Sequence, residues 1–543
     1  MSKVVNGDEI QNVPVSPSRL NKIFYIFVSL LILSSITAVA LVAAALGIIL
    51  NHSNQVNNDA NNPVSLIEEI RIGDLLRHLE QLQVIADNSN GTRAVGTRGF
   101  NGTIDYITDQ LRQNTNFLIQ HQNLTIANYL VRGTPQLQSR INGVENDHVY
   151  LTDFTSMTFS GRANFPSFTR LFVIPNLGCQ DADWTSVSTN DSVALVGRGN
   201  CTYTEKAAFA EKYRVKGLLI HNSEIAADNA RPIQGLTTII NSTIPTFFLS
   251  YNLGKHLANA TVNVADVGMK MSIDVADAEG VRNICADTPS GDKTKTILIG
   301  AHSDSVMAGS GIDDNGSGTV GILVLALSLA RLFQKSPDTY PKYLHRIRFC
   351  WWGAEEVGLL GSKYHVEQLL SSDNNKEGER FQDYLLNLNY DMIAGPNYLF
   401  GIYDGETVPT NTPPSARRGT NRISNLFQQW FIQRKLPWTR IEFGGGSDYA
   451  PFLAKGLPVG GIHTGTSEIK TPSERDEYAA MLGTGNGGIA NAALDPCYHL
   501  QCDRISNIDT FAYETVVKAA AYAIEYLGRM NNLEKWLYPD GRV

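Results

Sequence analysis

Three short apolar runs in the second half of the chain each stop shortly before a histidine or an acidic side chain. The runs are residues 296–301, 347–352 and 384–390, and the side chains that follow them are His302, Glu355 with Glu356, and Asp391. Residues 316–334 are apolar almost throughout, as expected of a helix buried against a sheet. This alternation predicts an α/β fold, a three-layer sandwich around a mixed, mainly parallel sheet. Because ligands bind beyond the carboxyl ends of strands in such sheets, the polar side chains are expected to meet.

Five residues in this part of the chain are candidate zinc ligands. They are His302, Asp314, Glu356, Asp391 and His499. Imidazoles and carboxylates suit Zn²⁺, and two such ions about 3.5–4 Å apart can activate a water for hydrolysis. Asp314 is expected to bridge the two ions through its two oxygens. His302 and Asp391 would complete one site. Glu356 and His499 would complete the other, and each ion would keep an open position for water or substrate.

Three further residues beside these ligands have predicted roles. Glu355 precedes Glu356, and neighbouring side chains of an extended segment point in different directions. One acid can therefore bind metal while Glu355 acts as the general base towards the water. Tyr498 has a hydroxyl that could stabilise the oxyanion, and Asp304 could orient the imidazole of His302.

Residues 23–50 carry no charged side chain. As a helix they would be about 42 Å long at ~1.5 Å per residue, enough to cross a hydrocarbon layer of ~30 Å with tilt. Arg19 and Lys22 precede this run, and the next lysine or arginine is Arg71. The positive-inside rule then predicts a signal anchor with residues 1–22 in the cytosol. The alternative is a cleaved signal peptide and a secreted protein, although the apolar part of a signal peptide is usually only about 7–15 residues.

The remaining chain divides into a stalk, a catalytic domain and an insert. Residues 51–62 are polar and rich in asparagine. Residues 63–144 and 271–543 are predicted to form the catalytic domain. In residues 145–270, short β-type runs alternate with glycine, asparagine and proline turns, without a convergent cluster of acids, histidines or cysteines. This pattern predicts an inserted β-rich domain without chemistry of its own.

Eight Asn-X-Ser/Thr sequons predict a glycosylated surface that faces the extracellular space or a secretory or vacuolar lumen. They are Asn51, Asn90, Asn101, Asn123, Asn190, Asn200, Asn241 and Asn259. Asn315 also begins a sequon, but a glycan there would block the predicted metal site, so it is expected to be unmodified. A formal net charge of −8 argues against a nucleic-acid partner.

The six cysteines fit an oxidising compartment. The pairs that could form disulfides are Cys497 with Cys502, around His499, and Cys179 with Cys201, in the insert. Cys285 and Cys350 both fall in apolar, strand-like runs, where buried free thiols are expected. A third disulfide between them stays open as the alternative.

The motifs around these residues resemble those of the family-28 metallopeptidases, the secreted and vacuolar two-zinc aminopeptidases. The matching segments are His-Ser-Asp-Ser at 302–305, Gly-Ile-Asp-Asp-Asn-Gly-Ser-Gly at 311–318, Glu-Glu-Val-Gly-Leu-Leu-Gly-Ser at 355–362, Asp-Met-Ile at 391–393 and Asp-Pro-Cys-Tyr-His at 495–499, with further matches at 91–97, 447–452 and 468–471. The resemblance covers residues 63–150 and 271–543, and the insert resembles a protease-associated domain.

The resemblance implies an enzyme that removes N-terminal residues, often large apolar ones such as leucine, from peptides. It also implies the five metal ligands named above, Glu355 as base and Tyr498 as the oxyanion partner. Two positions depart from the family pattern. Gly446 stands where many relatives have arginine or another polar residue, and His463 where many have phenylalanine. Both lie near the substrate pocket in such enzymes, so the resemblance implies the hydrolytic activity but does not determine the side-chain preference.

Two other functions are compatible with parts of this pattern. Carboxypeptidases and glutaminyl cyclases of the same superfamily use related sheets and ligands, but the segment 495–499 and the short Gly-Ser-Gly loop favour the aminopeptidases. A receptor-like ectodomain could keep the fold and lose the chemistry. The presence of all five ligands and of the base argues against that alternative.

Overall fold

A computed structural model describes most of the chain after the predicted stalk. The described residues are 65–185, 191–224, 232–233, 239–240, 242–263, 266–335, 338–371 and 376–542. The predicted cytosolic tail, anchor and stalk, residues 1–62, lie outside this part. Within it, one helical segment, Ile312–Lys335, is long and apolar enough to cross a membrane, but 89% of its apolar window is buried in the core.

Helices and strands alternate along most of the described chain. The helices are α1 (Leu66–Glu69), α2 (Ile72–Asp87), α3 (Arg98–Asn114), α4 (Asp181–Thr185), α5 (Tyr203–Lys212), α6 (Tyr251–Asn263), α7 (Gly318–Lys335), α8 (Leu360–Leu370), α9 (Pro414–Arg434), α10 (Ala450–Ala454), α11 (Pro472–Leu482), α12 (Thr510–Gly528) and α13 (Leu533–Leu537). The strands are β1 (Leu118–Ile141), β2 (Val144–His148), β3 (Phe154–Ser156), β4 (Ala163–Asn164), β5 (Thr169–Val173), β6 (Val193–Gly197), β7 (Gly217–His221), β8 (Thr246–Leu249), β9 (Val267–Asp287), β10 (Asp292–His302), β11 (His345–Trp352), β12 (Tyr384–Asn389), β13 (Gly401–Tyr403), β14 (Thr439–Ile441), β15 (Val459–Gly460) and β16 (Ile462–His463).

One large mixed sheet connects most of these strands. Its order within the described residues is β15-β12-β10-β11-β9-β5-β6-β7-β8-β3, with β1 and β4 also paired to β9, and β2 to β1. The neighbours β15, β12, β10 and β11 are parallel, whereas β9 runs antiparallel to β11 and to β1. The predicted mixed α/β fold is confirmed.

Helices cover both faces of the strands that carry the predicted site. Along β10, Ile297 and Ile299 contribute to the core that also contains residues of α2, α3, α7 and α12. The intervening Leu298 belongs to a second core with residues of α8, α9 and α10. Successive strand residues point to opposite faces, so β10 separates these two cores. Full burial of each such side chain stabilises the fold by ~1.5–3 kcal/mol.

Parallel strands also form the centre of the predicted insert. The strands β5, β6, β7 and β8 are parallel, and β3 pairs antiparallel with β8. Leu219 and Phe247 face a core shared with α6, and Leu218 and Phe248 face a core shared with α5. The insert is therefore a small α/β unit, where the sequence predicted a β-rich one. It joins the rest of the sheet through β9, which pairs with β11 near one end and with β5 near the other.

All six cysteines are paired. Two of the pairs, Cys179 with Cys201 and Cys497 with Cys502, agree with the sequence-based prediction. The expectation of free thiols at Cys285 and Cys350 is wrong, because these residues form the third disulfide. Cys285 in β9 lies directly opposite Cys350 in β11, with their Cα atoms 4.2 Å apart. The apolar sequence around each cysteine carries no sign that the two strands are neighbours.

Candidate active site

The predicted ligands converge beyond the carboxyl ends of three parallel strands. His302 is the last residue of β10, and Asp391 follows β12. Glu356 lies in the turn after β11. Asp314 comes from the irregular turn Ile312–Ser317 that leads into α7, and His499 from a loop before α12.

Asp314 separates two groups of side chains. The imidazole Nε2 of His302 lies 3.4 Å from Asp314 Oδ1 and 3.3 Å from Asp391 Oδ1. The Nε2 atom of His499 lies 3.0 Å from Asp314 Oδ2 and 3.2 Å from Glu356 Oε2. The two oxygens of Asp314 thus face different imidazoles. This arrangement has the form of two adjacent sites that share one carboxylate.

Side chains of the two groups also lie close to one another. Ligand atoms of His302, Asp314 and Glu356 all lie within 4.8 Å of each other, as do those of His302, Glu355 and Asp391. The side chains of His302 and of the carboxylates are 12% exposed or less, whereas the side chain of His499 is 39% exposed. A compact, mostly buried cluster therefore opens to solvent on the side of His499.

The unsatisfied atoms of this cluster fit a metal site. Among the described residues, Glu356 Oε1 and Asp391 Oδ1 are buried without a hydrogen-bond partner. A buried carboxylate oxygen that lacks a partner is costly, and several anionic groups so close together repel each other. A divalent cation would remove both penalties, and the imidazole and carboxylate donors are of the kind that zinc prefers.

The protonation of the ligands reflects the same crowding. Burial, followed by the charge of Asp314, raises the pKa of Glu356 to about 7. Burial lowers the pKa of His499, but its hydrogen bonds to Asp314 and Glu356 outweigh this effect and raise the pKa to about 10. Metal ligands must lose such protons, so binding of a cation here is coupled to proton release.

Glu355 and Glu356 face different parts of the cluster, although not for the predicted reason. They lie in a turn rather than in an extended segment, and the preceding Ala354 has a φ of 62°. Glu355 Oε2 lies 3.9 Å from His302 Nε2, whereas Glu356 Oε2 faces His499. Burial raises the pKa of Glu355 well above its usual range; His302 opposes this shift and Asp391 adds to it. A raised pKa suits a group that accepts and returns a proton near neutrality.

Asp304 contacts both His302 and the turn that carries Glu355 and Glu356. Its main-chain carbonyl accepts a hydrogen bond from His302 Nδ1 at 3.2 Å, while its carboxylate lies 3.6 Å from the same nitrogen. The carboxylate accepts the backbone N–H groups of Glu355 at 3.1 Å and Glu356 at 3.3 Å. The residue therefore orients His302 mainly through its backbone, and its side chain holds the turn that carries the two glutamates.

A cleft of about 920 Å³ opens over the cluster. Its lining includes both residues that depart from the family pattern, Gly446 and His463. A Cβ added at Gly446 would meet no atom within 4 Å, so this part of the cleft is open. His463 Nδ1 donates to the main-chain carbonyl of Asp391 at 2.8 Å, which holds its ring beside the ligands.

Tyr498 also lines the cleft and stacks on His499, with ring centroids 3.9 Å apart. Burial, with the negative charges of Asp314 and Glu356, raises the pKa of Tyr498 far above its usual value. The phenol therefore keeps its proton across the physiological range and can act as a hydrogen-bond donor.

Two residues that support the ligands were missed in the sequence. Ser447 Oγ donates to Asp391 Oδ2 at 2.6 Å. The carboxylate of Asp503 accepts the backbone N–H groups of Asp313 at 2.7 Å and Asp314 at 3.0 Å. Ser447 is the first residue of the family motif at 447–452, so the sequence did indicate that it belongs near the site. Nothing in the sequence around Asp503 indicates its role.

Comparison with known proteins identifies the family of the chain. The model of Peptidase family M28 matches residues 283–524, and the PA domain model matches residues 168–257. The chain is 32% identical over 467 residues to "Probable leucine aminopeptidase 2" of Aspergillus fumigatus, with 85% of each chain covered. It is 31% identical to "Leucine aminopeptidase 2" of Trichophyton rubrum, with 86% of each covered. It is 29% identical to "Aminopeptidase" of Pseudomonas aeruginosa, with 86% of this chain and 83% of that one covered.

Two solved structures share the fold. An aminopeptidase from Aneurinibacillus sp. strain AM-1 has a TM-score of 0.63 at 20% identity, over 86% of this chain and 96% of that one. BSAP, a zinc aminopeptidase from Bacillus subtilis, has a TM-score of 0.60 at 19% identity, over 85% and 96%. The resemblance found in the motifs is thus confirmed over most of the chain, and the protein belongs to peptidase family M28, as a metallopeptidase with an inserted PA domain.

Proposed function

We propose that this protein is a zinc-dependent aminopeptidase that releases N-terminal, preferentially apolar residues from peptides. The observation that carries the proposal is the position of Asp314, whose two oxygens face His302 and His499 beside the buried Glu355. The relatives named as leucine aminopeptidases and the neighbour titled a zinc aminopeptidase support it.

Two zinc ions would share Asp314. His302 and Asp391 would hold one of them, and Glu356 and His499 the other. When bound, zinc supplies Lewis acidity that polarises a carbonyl group and lowers the pKa of a water molecule. The unpartnered oxygens of Glu356 and Asp391 support this assignment, because each lacks a hydrogen bond that a cation would replace.

Glu355 would act as the general base. Its carboxylate lines the cleft and lies next to the ligand cluster without belonging to the pair around His499. It would accept a proton from the attacking water and return it to the departing amine. Burial raises the pKa of Glu355, which makes it a stronger base than an exposed carboxylate.

Tyr498 would stabilise the negative charge that develops on the carbonyl oxygen of the scissile bond. Its hydroxyl stays protonated, and its ring is fixed by stacking on His499. A donor already in place when the charge forms requires no reorganisation during the reaction, and such donors lower barriers strongly.

The cleft walls support a preference for apolar side chains. Leu399, Ile441 and Leu494 line the cleft together with the aromatic rings of Tyr403 and Tyr449. Pockets of this kind gain most of their binding free energy from apolar burial, and a few polar groups fix the orientation of the ligand. Leucine and phenylalanine at the N-terminus are therefore the expected substrates.

A panel of aminoacyl amides tests the proposal on the glycosylated ectodomain. Leucine amide with a free amine should be hydrolysed, chelation should abolish the reaction, and zinc should restore it. Asp314→Ala provides the matched control that should neither bind zinc fully nor hydrolyse any amide. Hydrolysis of N-blocked peptides alone would favour the carboxypeptidase alternative. Cyclisation of an N-terminal glutamine with release of ammonia, without peptide hydrolysis, would favour the cyclase alternative. A purified ectodomain that binds no zinc would favour a receptor-like protein.

We further propose that residues 23–50 anchor the protein as a single-pass membrane protein with its catalytic domain outside the cytosol. A location outside the cytosol is supported by the exposed asparagines of five sequons. They are Asn90, Asn101, Asn123, Asn200 and Asn259. Asn315 is fully buried and its side chain bonds Tyr390 and Gly318, so it should carry no glycan. Membrane fractionation and enzymatic deglycosylation test this topology, and a soluble, unglycosylated protein would contradict it.

A further inference from the structure

Arg93 is a buried cation that the proposed mechanism does not use. It lies between α2 and α3 and is 0% exposed. Its guanidinium donates to main-chain carbonyls rather than to carboxylates. Nη1 donates to the carbonyl of Ser303 at 2.6 Å, Nε to that of Ser310 at 2.8 Å, and Nη2 to that of Gly311 at 2.6 Å.

These carbonyls belong to the two segments that carry metal ligands. Ser303 directly follows His302 at the end of β10, and Gly311 precedes the turn that contains Asp314. One planar side chain therefore ties together two loops whose separation determines the distance between His302 and Asp314. Arginine is suited to this role because its donors have a fixed, forked geometry.

The backbone next to Arg93 adds further ties to the first loop. The N–H group of Arg93 donates to Ser305 Oγ at 3.0 Å, and Thr92 Oγ1 donates to the carbonyl of Val306 at 2.9 Å. We call Thr92 and Arg93, with the acceptor segments 303–306 and 310–311, the arginine clamp.

The clamp is tightly packed at Gly311. This residue has a φ of 59°, and a Cβ there would lie 2.2 Å from the carbonyl oxygen of Asp314 and 2.5 Å from Cβ of Ser305. Only glycine allows this approach without a shift of the backbone. A displacement of the guanidinium would thus be transmitted to the Asp314 turn instead of being absorbed by free space.

The charge of Arg93 also faces the acids of the site. The carboxylates that interact with it over longer distances are those of Asp503, Asp304, Asp314 and Glu356. A fixed buried cation reduces the mutual repulsion of these acids without occupying a ligand position.

We propose that Arg93 is a positioning residue that sets the spacing of His302 and Asp314 and thereby the affinity of the protein for zinc. This inference rests on the proposed zinc site. It concerns a residue that contacts neither the metal nor the substrate, so its effect should appear in metal binding before it appears in catalysis.

The test compares two buried arginines. Arg93→Lys keeps the charge but loses the forked donors, and the zinc dissociation constant of the metal-free protein, measured by chelator competition, should rise about 10- to 100-fold. Arg348→Lys is the matched control, because Arg348 is 1% exposed and binds Asp287 and Glu379. This control should unfold more easily and yet keep its zinc affinity within about twofold.

An unchanged zinc affinity in folded Arg93→Lys would overturn the inference. If that variant does not fold, Ser305→Ala tests the inference instead. This change removes the acceptor of the Arg93 N–H group and should still weaken zinc binding by about threefold or more. Unchanged affinity in Ser305→Ala would then count against the clamp. A wild-type protein without zinc affinity would instead contradict the proposed function, so the two failures are distinguishable.

Discussion

Two regions of the molecule are built from buried parallel strands, but within the described residues only one of them gathers a cluster of candidate metal ligands. The strands β10, β11 and β12 of the catalytic region and β5 to β8 of the insert are both flanked by helices and packed on both faces. Among the residues that the structure describes, groups of three potential metal ligands occur only around His302. The same type of strand arrangement thus carries the proposed active site in one region and, within the described residues, no such cluster in the other.

The difference lies in how the polar groups at the strand ends are satisfied. In the insert, Arg198 Nη1 donates to Asn222 Oδ1 at 3.1 Å, and the buried Lys206 donates to the carbonyls of Leu177 and Gly199. In the catalytic region, carboxylate oxygens remain without partners. Buried polar groups that form hydrogen bonds with each other stabilise a fold. Buried polar groups without such partners gain free energy when a ligand binds to them.

The largest expected effect concerns the one acid assigned to proton transfer. Glu355→Gln should lower kcat about 10²- to 10⁴-fold, because the amide cannot accept the proton. Zinc content should stay near that of the wild type, since the proposed ligands leave Glu355 free to act as the base. Single-turnover rates and metal analysis of the same preparation check both parts. Near-normal turnover would show that another group is the base.

Metal removal should affect the two regions differently. With zinc at about a thousandfold excess over its dissociation constant, the ligand should stabilise the catalytic region by ~4 kcal/mol. Hydrogen exchange of segments 302–317 and 353–358 should therefore accelerate on chelation. Exchange in β6 and β7 should not change. An equal change in both regions would show that the insert is coupled to the metal site.

The buried imidazole of His365 should make stability depend on pH. Burial, assisted by the charge of Arg348, lowers the pKa of His365 to about 3. The unfolded chain takes up this proton near pH 6.5, so the folded state loses ~1.4 kcal/mol per pH unit below that value until about pH 3. At pH 5 the loss would be ~2 kcal/mol.

His365→Gln tests this dependence. The free energy of unfolding, measured by denaturant titration between pH 7 and 5, should fall less steeply with acid in the variant than in the wild type. Parallel slopes would contradict a neutral, buried imidazole at this position.

The smallest expected effect is that of removing one buried methyl group from each region. Ile220 in β7 and Ile299 in β10 are both 0% exposed. Each change to valine should reduce stability by ~1 kcal/mol, because a small cavity remains. Ile220→Val should leave kcat/KM for leucine amide unchanged. A loss of activity in that variant would show that packing of the insert reaches the active site, for instance through Tyr203, which lines the cleft.

The sequence by itself determined the strands of the catalytic region and the side chains at their ends. The predicted runs 296–301, 347–352 and 384–390 correspond to β10, β11 and β12 with shifts of a few residues. Apolar runs of this length and the types of their flanking residues are local properties, so one sequence is enough to recognise them. The position of the ligands at one edge followed from the parallel topology that these runs imply.

Only the tertiary structure decided how distant segments meet. It placed Cys285 opposite Cys350, and it turned the side chain of Asp304 towards the glutamate turn. It also brought Arg93 to a carbonyl 210 positions away in the chain. Such contacts leave no periodic or compositional trace in the sequence, because they depend on which elements become neighbours after the whole core has packed.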